Sequence, residues 1–293
     1  MGEIVGIGII AHSPTIMLSD EIRQGLNDGK ESTLYSGMFD LKREVLEELQ
    51  ADTVIVLDTH WGTIVEFLVT AHPRRSGKYT SDELPRGMCQ VPYDLKGNPA
   101  LAEDMAARAT ANGVRTSTSA DPYLPIHYPT VNLAHFLKNA DKDEEWLSVS
   151  VCQTADADDC RRLGEGIGAA IEASDRRVVI MASGALSHSF WPLKELAQHE
   201  AADPIHIRTP EHRAADEKRI TWMCEGDHAA VIDAMPEFYQ YKPEAGFQHY
   251  LIMMAAVGGK DCRAPGKPYS DYENSTGTGQ IHIWFDRPES GWA

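Results

Sequence analysis

Residues 53–62, TVIVLDTHWG, begin with five β-branched or aliphatic residues, a composition that predicts a buried strand. The run then ends abruptly in Asp58, Thr59, His60 and Trp61. Two further apolar runs end in the same way. Residues 4–11 lead into His12 within IIAHSP, and residues 177–182 pass through a glycine turn into His188 within SGALSH. A fourth histidine, His127, lies in the proline-framed loop PIHYPT. Open α/β sheets bind ligands beyond the carboxyl ends of their strands. If the three strands run parallel, His12, His60 and His188 reach one edge together.

Helical and extended segments alternate outward from this stretch. Residues 35–50 have helical spacing, with Met38, Leu41, Val45 and Leu49 on one side. TIVEFLVTA is a second β-rich run, and the proline- and glycine-bearing residues 73–97 predict a long surface excursion. Asn98 is placed to cap a helix that has Pro99 at its first position and Gly113 beyond its end. Further along come a short strand at VRTSTS, a loop, a helix over 131–139, a strand at WLSVSVCQ and a helix over 159–173. Residues 209–235 read as two helical pieces, HYLIMMAAVGG as a buried helix and TGQIHIWF as a closing strand. This order predicts an α/β fold in which one domain, residues 1–293, carries a central mixed, largely parallel sheet flanked by helices.

Composition narrows the function. The chain of 293 residues is 42% hydrophobic and 24% charged, enough apolar material for a sizeable core. A formal net charge of −17 repels phosphate backbones and anionic membranes, which argues against nucleic-acid and membrane partners. Five cysteines, Cys89, Cys152, Cys160, Cys224 and Cys262, occur without a C-x-x-C pair, as expected of reduced thiols in a cytoplasmic protein. The apolar N-terminus lacks a basic leader and reads as a first strand, and no apolar run has the length to span a bilayer.

A single histidine after a strand is more often structural than a ligand, but three such endings point to a metal or acid–base site. Asp58 is placed to orient a ring through its second nitrogen. Two histidines and a carboxylate would make a facial triad with open positions for substrate and dioxygen. Closely spaced glycines in GEGIGAA (164–170) lie inside a helical pattern and predict close helix packing, while HEAADPIH and HRAADEK read as an exposed loop and helix face. Trp61 reads equally as a wall of the site or a core indole.

AHSP, DTHW, PIHYPT and SGALSH, in that order, resemble the class III extradiol ring-cleavage dioxygenases, the superfamily of the protocatechuate 4,5-dioxygenase β subunit. TSDELP (80–85), YDLKGNPAL (93–101) and STGTGQ (275–280) extend the likeness over nearly the whole chain, nearest to homoprotocatechuate (3,4-dihydroxyphenylacetate) 2,3-dioxygenases. The resemblance implies a non-haem Fe(II) cofactor held by His12, His60 and a glutamate. It also implies a catechol-type substrate, dioxygen as co-substrate and assembly as a homo-oligomer. His188 matches the family's acid–base histidine. His127 matches a histidine near dioxygen and substrate, although Ile126 and Tyr128 replace the family's flanking Asp and Gly. The third ligand falls to Glu244, the only carboxylate in YKPEAGFQHYLIMMAAVGG, with His249 as the alternative. A zinc-dependent hydrolase and a non-catalytic binding protein on the same fold are the competing functions.

Overall fold

Four of the apolar runs lie side by side at the centre of one sheet in the computed structural model, which describes residues 1–293. In chain order the strands are β1 (Glu3–Ile10), β2 (Thr53–Thr63), β3 (Phe67–Thr70), β4 (Arg74–Tyr79), β5 (Val91–Lys96), β6 (Thr116–Ser119), β7 (Glu145–Cys152), β8 (Arg177–Ser183), β9 (Gly266–Pro268), β10 (Glu273–Ser275), β11 (Thr278–Gln280) and β12 (His282–Asp286). The helices are α1 (Asp20–Leu26), α2 (Thr33–Leu41), α3 (Pro99–Ala111), α4 (Tyr128–Leu137), α5 (Ala157–Ala173), α6 (Pro210–Glu225), α7 (His228–Asp233), α8 (Met235–Phe238) and α9 (Gln248–Ala255).

The main sheet has the order β4-β5-β7-β2-β8-β1-β12-β9, with β3 set between β6 and β7. Strands β7, β2, β8 and β1 are mutually parallel, while β12 and β9 close one side antiparallel. Side chains alternate between the two faces. Val54, Val56, Val179 and Met181 pack with α2 and α4; Ile55, Leu57, Ile180 and Ala182 pack with α3, α5 and α9. The single-domain α/β architecture with a mixed, largely parallel sheet therefore matches the sequence expectation.

Individual elements carry their predicted devices. The Asn98 side chain accepts a 2.9 Å bond from Leu101 N–H at the start of α3. Glycines of GEGIGAA let α5 approach its neighbours: a Cβ on Gly164 would meet Ile252 O at 2.3 Å, and one on Gly166 would meet Ala109 N at 2.7 Å. The predicted helix over 35–50 is α2 followed by a wider π turn, Lys42–Leu46. Residues 73–97 depart from expectation. They form the antiparallel pair β4 and β5; β4 is largely exposed and lacks a hydrophobic period, whereas β5 alternates, with Val91 and Leu95 buried and Tyr93 packed beside them, a short pattern set among turn residues. The closing run also divides, Thr278–Gln280 pairing with β10 and His282–Asp286 with β1.

Register aligns Ile10 with Ser183 and Ser183 with Asp58 across three parallel strands. The residues that follow each of them leave the sheet on one edge. The histidine motifs converge for this reason.

Candidate metal centre

Strand β2 does not stop at Asp58. It continues to Thr63, but Asp58 pairs with Ser150 and Gly62 with the next residue, Val151, so Thr59, His60 and Trp61 bulge out of the ladder. The Asp58 carboxylate closes this bulge. It accepts from His60 N–H (3.1 Å), Trp61 N–H (3.2 Å), Thr130 N–H (3.2 Å) and the Thr130 hydroxyl (2.6 Å). Asp58 thus holds backbone and the start of α4, not an imidazole as expected, because its oxygens are consumed by donors within the bulge and α4.

The bulge aims His60 at His12, whose ring centroid lies 5.1 Å away. Glu244 completes the group. His12 Nε2 and His60 Nε2 each stand 3.5 Å from the same Glu244 oxygen, and the three ligand atoms fall within 4.8 Å of one another. Other side chains fix the rings. His12 Nδ1 lies 2.8 Å from Ser183 Oγ, and His60 Nδ1 lies 2.8 Å from a Glu83 oxygen. Outer partners of this kind leave each Nε2 facing inward.

Glu244 is placed by an uncommon backbone. Ala245, Gly246 and Phe247 take successive positive φ values of 47°, 64° and 62°, and the two non-glycine residues are strained there. Short ladder bonds hold the turn: Glu244 N–H donates to Leu186 O, and His188 N–H to Lys242 O, both at 3.0 Å. Gln248 ties the start of α9 to β7 by accepting from Cys152 N–H and donating to Cys152 O. The carboxylate accepts from the Thr59 hydroxyl and from Ala185 N–H. Burial opposes its charge, but the imidazoles that face it, His12 foremost, outweigh that cost and hold it well below the usual carboxylate range.

The donor set fits a metal ion. Two imidazole nitrogens and one carboxylate oxygen around a shared point leave further positions open. Electrostatics agree: burial acts against a charged His60, yet Glu244 and Glu83 push its pKa up to about 10, so this spot stabilises positive charge. His249 stands apart from the group. It is fully buried, packs edge-on to Phe247, has no partner at either nitrogen, and burial lowers its pKa to about 4.

His188 faces Glu244 with Nε2 at 3.9 Å from the second carboxylate oxygen, and burial lowers its pKa. A cavity of about 650 Å³ opens on this arrangement, lined by His60, His188 and Glu244 at one end and by Val151, Gln153 and Leu251 farther out. His127 precedes α4 without a side-chain capping bond and stacks on the buried Trp61 at 5.9 Å, and burial lowers its pKa as well. Its neighbour lies closer to the centre. The Tyr128 hydroxyl is 2.8 Å from His60 Nε2, and its ring sits 5.0 Å from His12. Tyr128, Thr59, Ser183 and Glu83 were not anticipated as site residues. The hint was that all four lie within the quoted motifs, Thr59 in DTHW, Glu83 in TSDELP, Tyr128 in PIHYPT and Ser183 in SGALSH.

Residues 6–286 match the family described as the catalytic LigB subunit of aromatic ring-opening dioxygenase. The chain belongs to this family. Among LigB relatives, the 3,4-dihydroxyphenylacetate 2,3-dioxygenase of Escherichia coli is 31% identical over 92% of this chain and 95% of its own length. A 2-aminophenol 1,6-dioxygenase beta subunit from a Pseudomonas species is 23% identical over 82% of this chain and 80% of its own. The crystal structure of an uncharacterised Escherichia coli K12 protein shares the fold at a TM-score of 0.61 and 14% identity, covering 96% of this chain and 99% of that one. The protein is accordingly an extradiol aromatic ring-opening dioxygenase, with a potential metal site at His12, His60 and Glu244.

Proposed function

We propose that the protein uses Fe(II), held by His12, His60 and Glu244, to cleave a catechol-type ring beside its two hydroxyls and yield a muconic semialdehyde. The substrate is 3,4-dihydroxyphenylacetate or a related catechol. The observation that carries this reading is the meeting of the three ligand atoms at the end of a cavity whose wall includes His60, Glu244 and His188. Sequence likeness to a 3,4-dihydroxyphenylacetate 2,3-dioxygenase supports the substrate class.

Bound Fe(II) would supply an electronic route between catechol and dioxygen, whose direct reaction is spin-forbidden, and would lower the catechol hydroxyl pKa. The chain's own residues do the rest. One carboxylate among three ligands leaves a net positive centre, which favours a catecholate over a neutral ring. His188, kept neutral by burial, takes the catechol proton at Nε2 and returns it to the oxygen released when the O–O bond breaks. His127, also neutral, serves as a hydrogen-bonding partner for oxygen or substrate. The cavity has the volume for one substituted ring.

Anaerobic loading with Fe(II) followed by an oxygen-electrode screen over a catechol panel tests the proposal. The expected result is one dioxygen consumed per catechol with a rise in semialdehyde absorbance. No uptake with any catechol would overturn it. Zinc loading is expected to give no uptake, which separates the reaction from metal-dependent hydrolysis. Assembly as a homo-oligomer belongs to the same proposal, and a monomer mass in light scattering would remove it.

A further inference from the structure

The helix segment HRAADEK reads as solvated, yet one of its carboxylates is wholly enclosed. Asp216, on α6, is 0% exposed and takes no part in the metal centre. Its contacts run instead to the residue before His188. Ser187 N–H donates to one Asp216 oxygen at 3.0 Å, and the Ser187 hydroxyl donates to the other at 2.6 Å. The Tyr272 hydroxyl adds a third bond at 2.5 Å. We propose that Asp216 is a positioning residue for the acid–base step: by gripping both the backbone and the hydroxyl of Ser187, it fixes His188 over Glu244.

The surrounding chain is shaped for this grip. Strand β11 passes directly over the carboxylate, where Leu186 N–H donates to Gly279 O and Gly279 N–H donates to Ser187 O, each at 2.9 Å. A Cβ on Gly279 would meet the Asp216 oxygen at 2.1 Å and the Tyr272 hydroxyl at 2.6 Å, so the clamp requires glycine there. On the other side, His188 N–H is tied to Lys242 O, two residues before Glu244. The catalytic loop is therefore held from α6, from β11 and from the turn that carries the carboxylate ligand. Arg219 lies buried one helical turn from Asp216, its guanidinium donating to Ala215 O and Ala234 O. Burial pushes the Asp216 carboxyl up to about 7 against the pull of Ser187 and Tyr272, so the clamp is read at pH 8, where the carboxylate is ionised.

This inference rests on the proposed role of His188, and a double-mutant cycle in the Fe(II)-loaded enzyme at pH 8 separates the two. Asp216→Asn is expected to lower kcat about 10- to 100-fold, with KM and iron content within about twofold of wild type, and to cost under about twofold in a His188→Ala background. Should the Asn variant fail to fold, Ser187→Ala removes only the hydroxyl and is expected to lower kcat about 3- to 10-fold with the same loss of effect beside His188→Ala. An equal kcat penalty in both backgrounds, or an unchanged kcat, would overturn the positioning role while leaving ring cleavage intact. Full turnover by His188→Ala would overturn the acid–base assignment itself, and the positioning role with it.

Discussion

At the scale of single residues, the centre divides between side chains announced by pattern and side chains found only through contact. His12, His60 and His188 follow apolar runs, so their positions could be read before any coordinates. Glu244 came from resemblance, since one carboxylate before a helix carries no signal of its own. Tyr128, Thr59 and Ser183 are short polar or aromatic residues whose partners are distant in sequence, such as Thr59 with Glu244 and Tyr128 with His60. No periodicity encodes such pairs. Tyr128 is the informative one. Its hydroxyl stands beside His60 Nε2 and its ring packs edge-on to His12; with a metal ion on Nε2 that nitrogen no longer accepts, which leaves the hydroxyl free to bond dioxygen or substrate, so Tyr128→Phe removes a hydrogen-bonding group and keeps the packing. Iron content is expected to stay at the wild-type level while kcat/KM falls about tenfold, near the worth of one lost hydrogen bond. Unchanged kcat/KM would show that the hydroxyl does not serve the reaction.

Among elements, the bulge in β2 matters most. The apolar pattern of TVIVL made the strand legible, but the pattern could not show that pairing resumes at Gly62 after three looped-out residues. Asp58 was misjudged for the same reason: an acid beside a histidine suggests an imidazole partner, whereas three backbone N–H groups claimed it first. Asp58→Ala leaves those three N–H groups without their acceptor, while the Thr130 hydroxyl keeps Ser148 Oγ as a partner at 2.9 Å. The expected cost is roughly 2–4 kcal/mol in urea unfolding, with Asp58→Asn milder because one acceptor oxygen remains. An Asp58→Ala protein as stable as wild type would contradict this view of the bulge. The largely exposed β4 shows the converse limit, because a strand without a buried apolar face has no alternation to read.

Over the whole molecule, the fold class and the shared strand edge were legible, and the ties that draw both ends of the chain together were not. His282, in the last strand, is one such tie. Its Nδ1 accepts from Ala11 N–H, next to His12, and its Nε2–H donates to Leu34 O. Both bonds suit the neutral ring. Burial, only partly offset by the Leu34 bond, lowers its pKa to about 4. The unfolded chain would bind this proton near pH 6.5 and the folded chain only near 4. Stability from His282 is therefore fully present above about pH 6.5 and is lost as pH falls toward 4, by up to roughly 3 kcal/mol. His282→Gln keeps an acceptor and a donor but cannot titrate, so its thermal midpoint should fall less steeply over that range. Identical slopes for variant and wild type would rule out this linkage. No helix is long and apolar enough to cross a membrane.

Every functional statement depends on His12, His60 and Glu244 sharing one ion. Anaerobic Fe(II) titration with metal analysis measures this directly in the wild-type protein and in His12→Ala, His60→Ala, Glu244→Ala and His249→Gln. The expected result is one iron per chain in the wild-type and His249→Gln proteins, with little or none in the other three while each stays folded. A folded Glu244→Ala protein that kept its full iron, or a His249→Gln protein that lost it, would contradict the assignment.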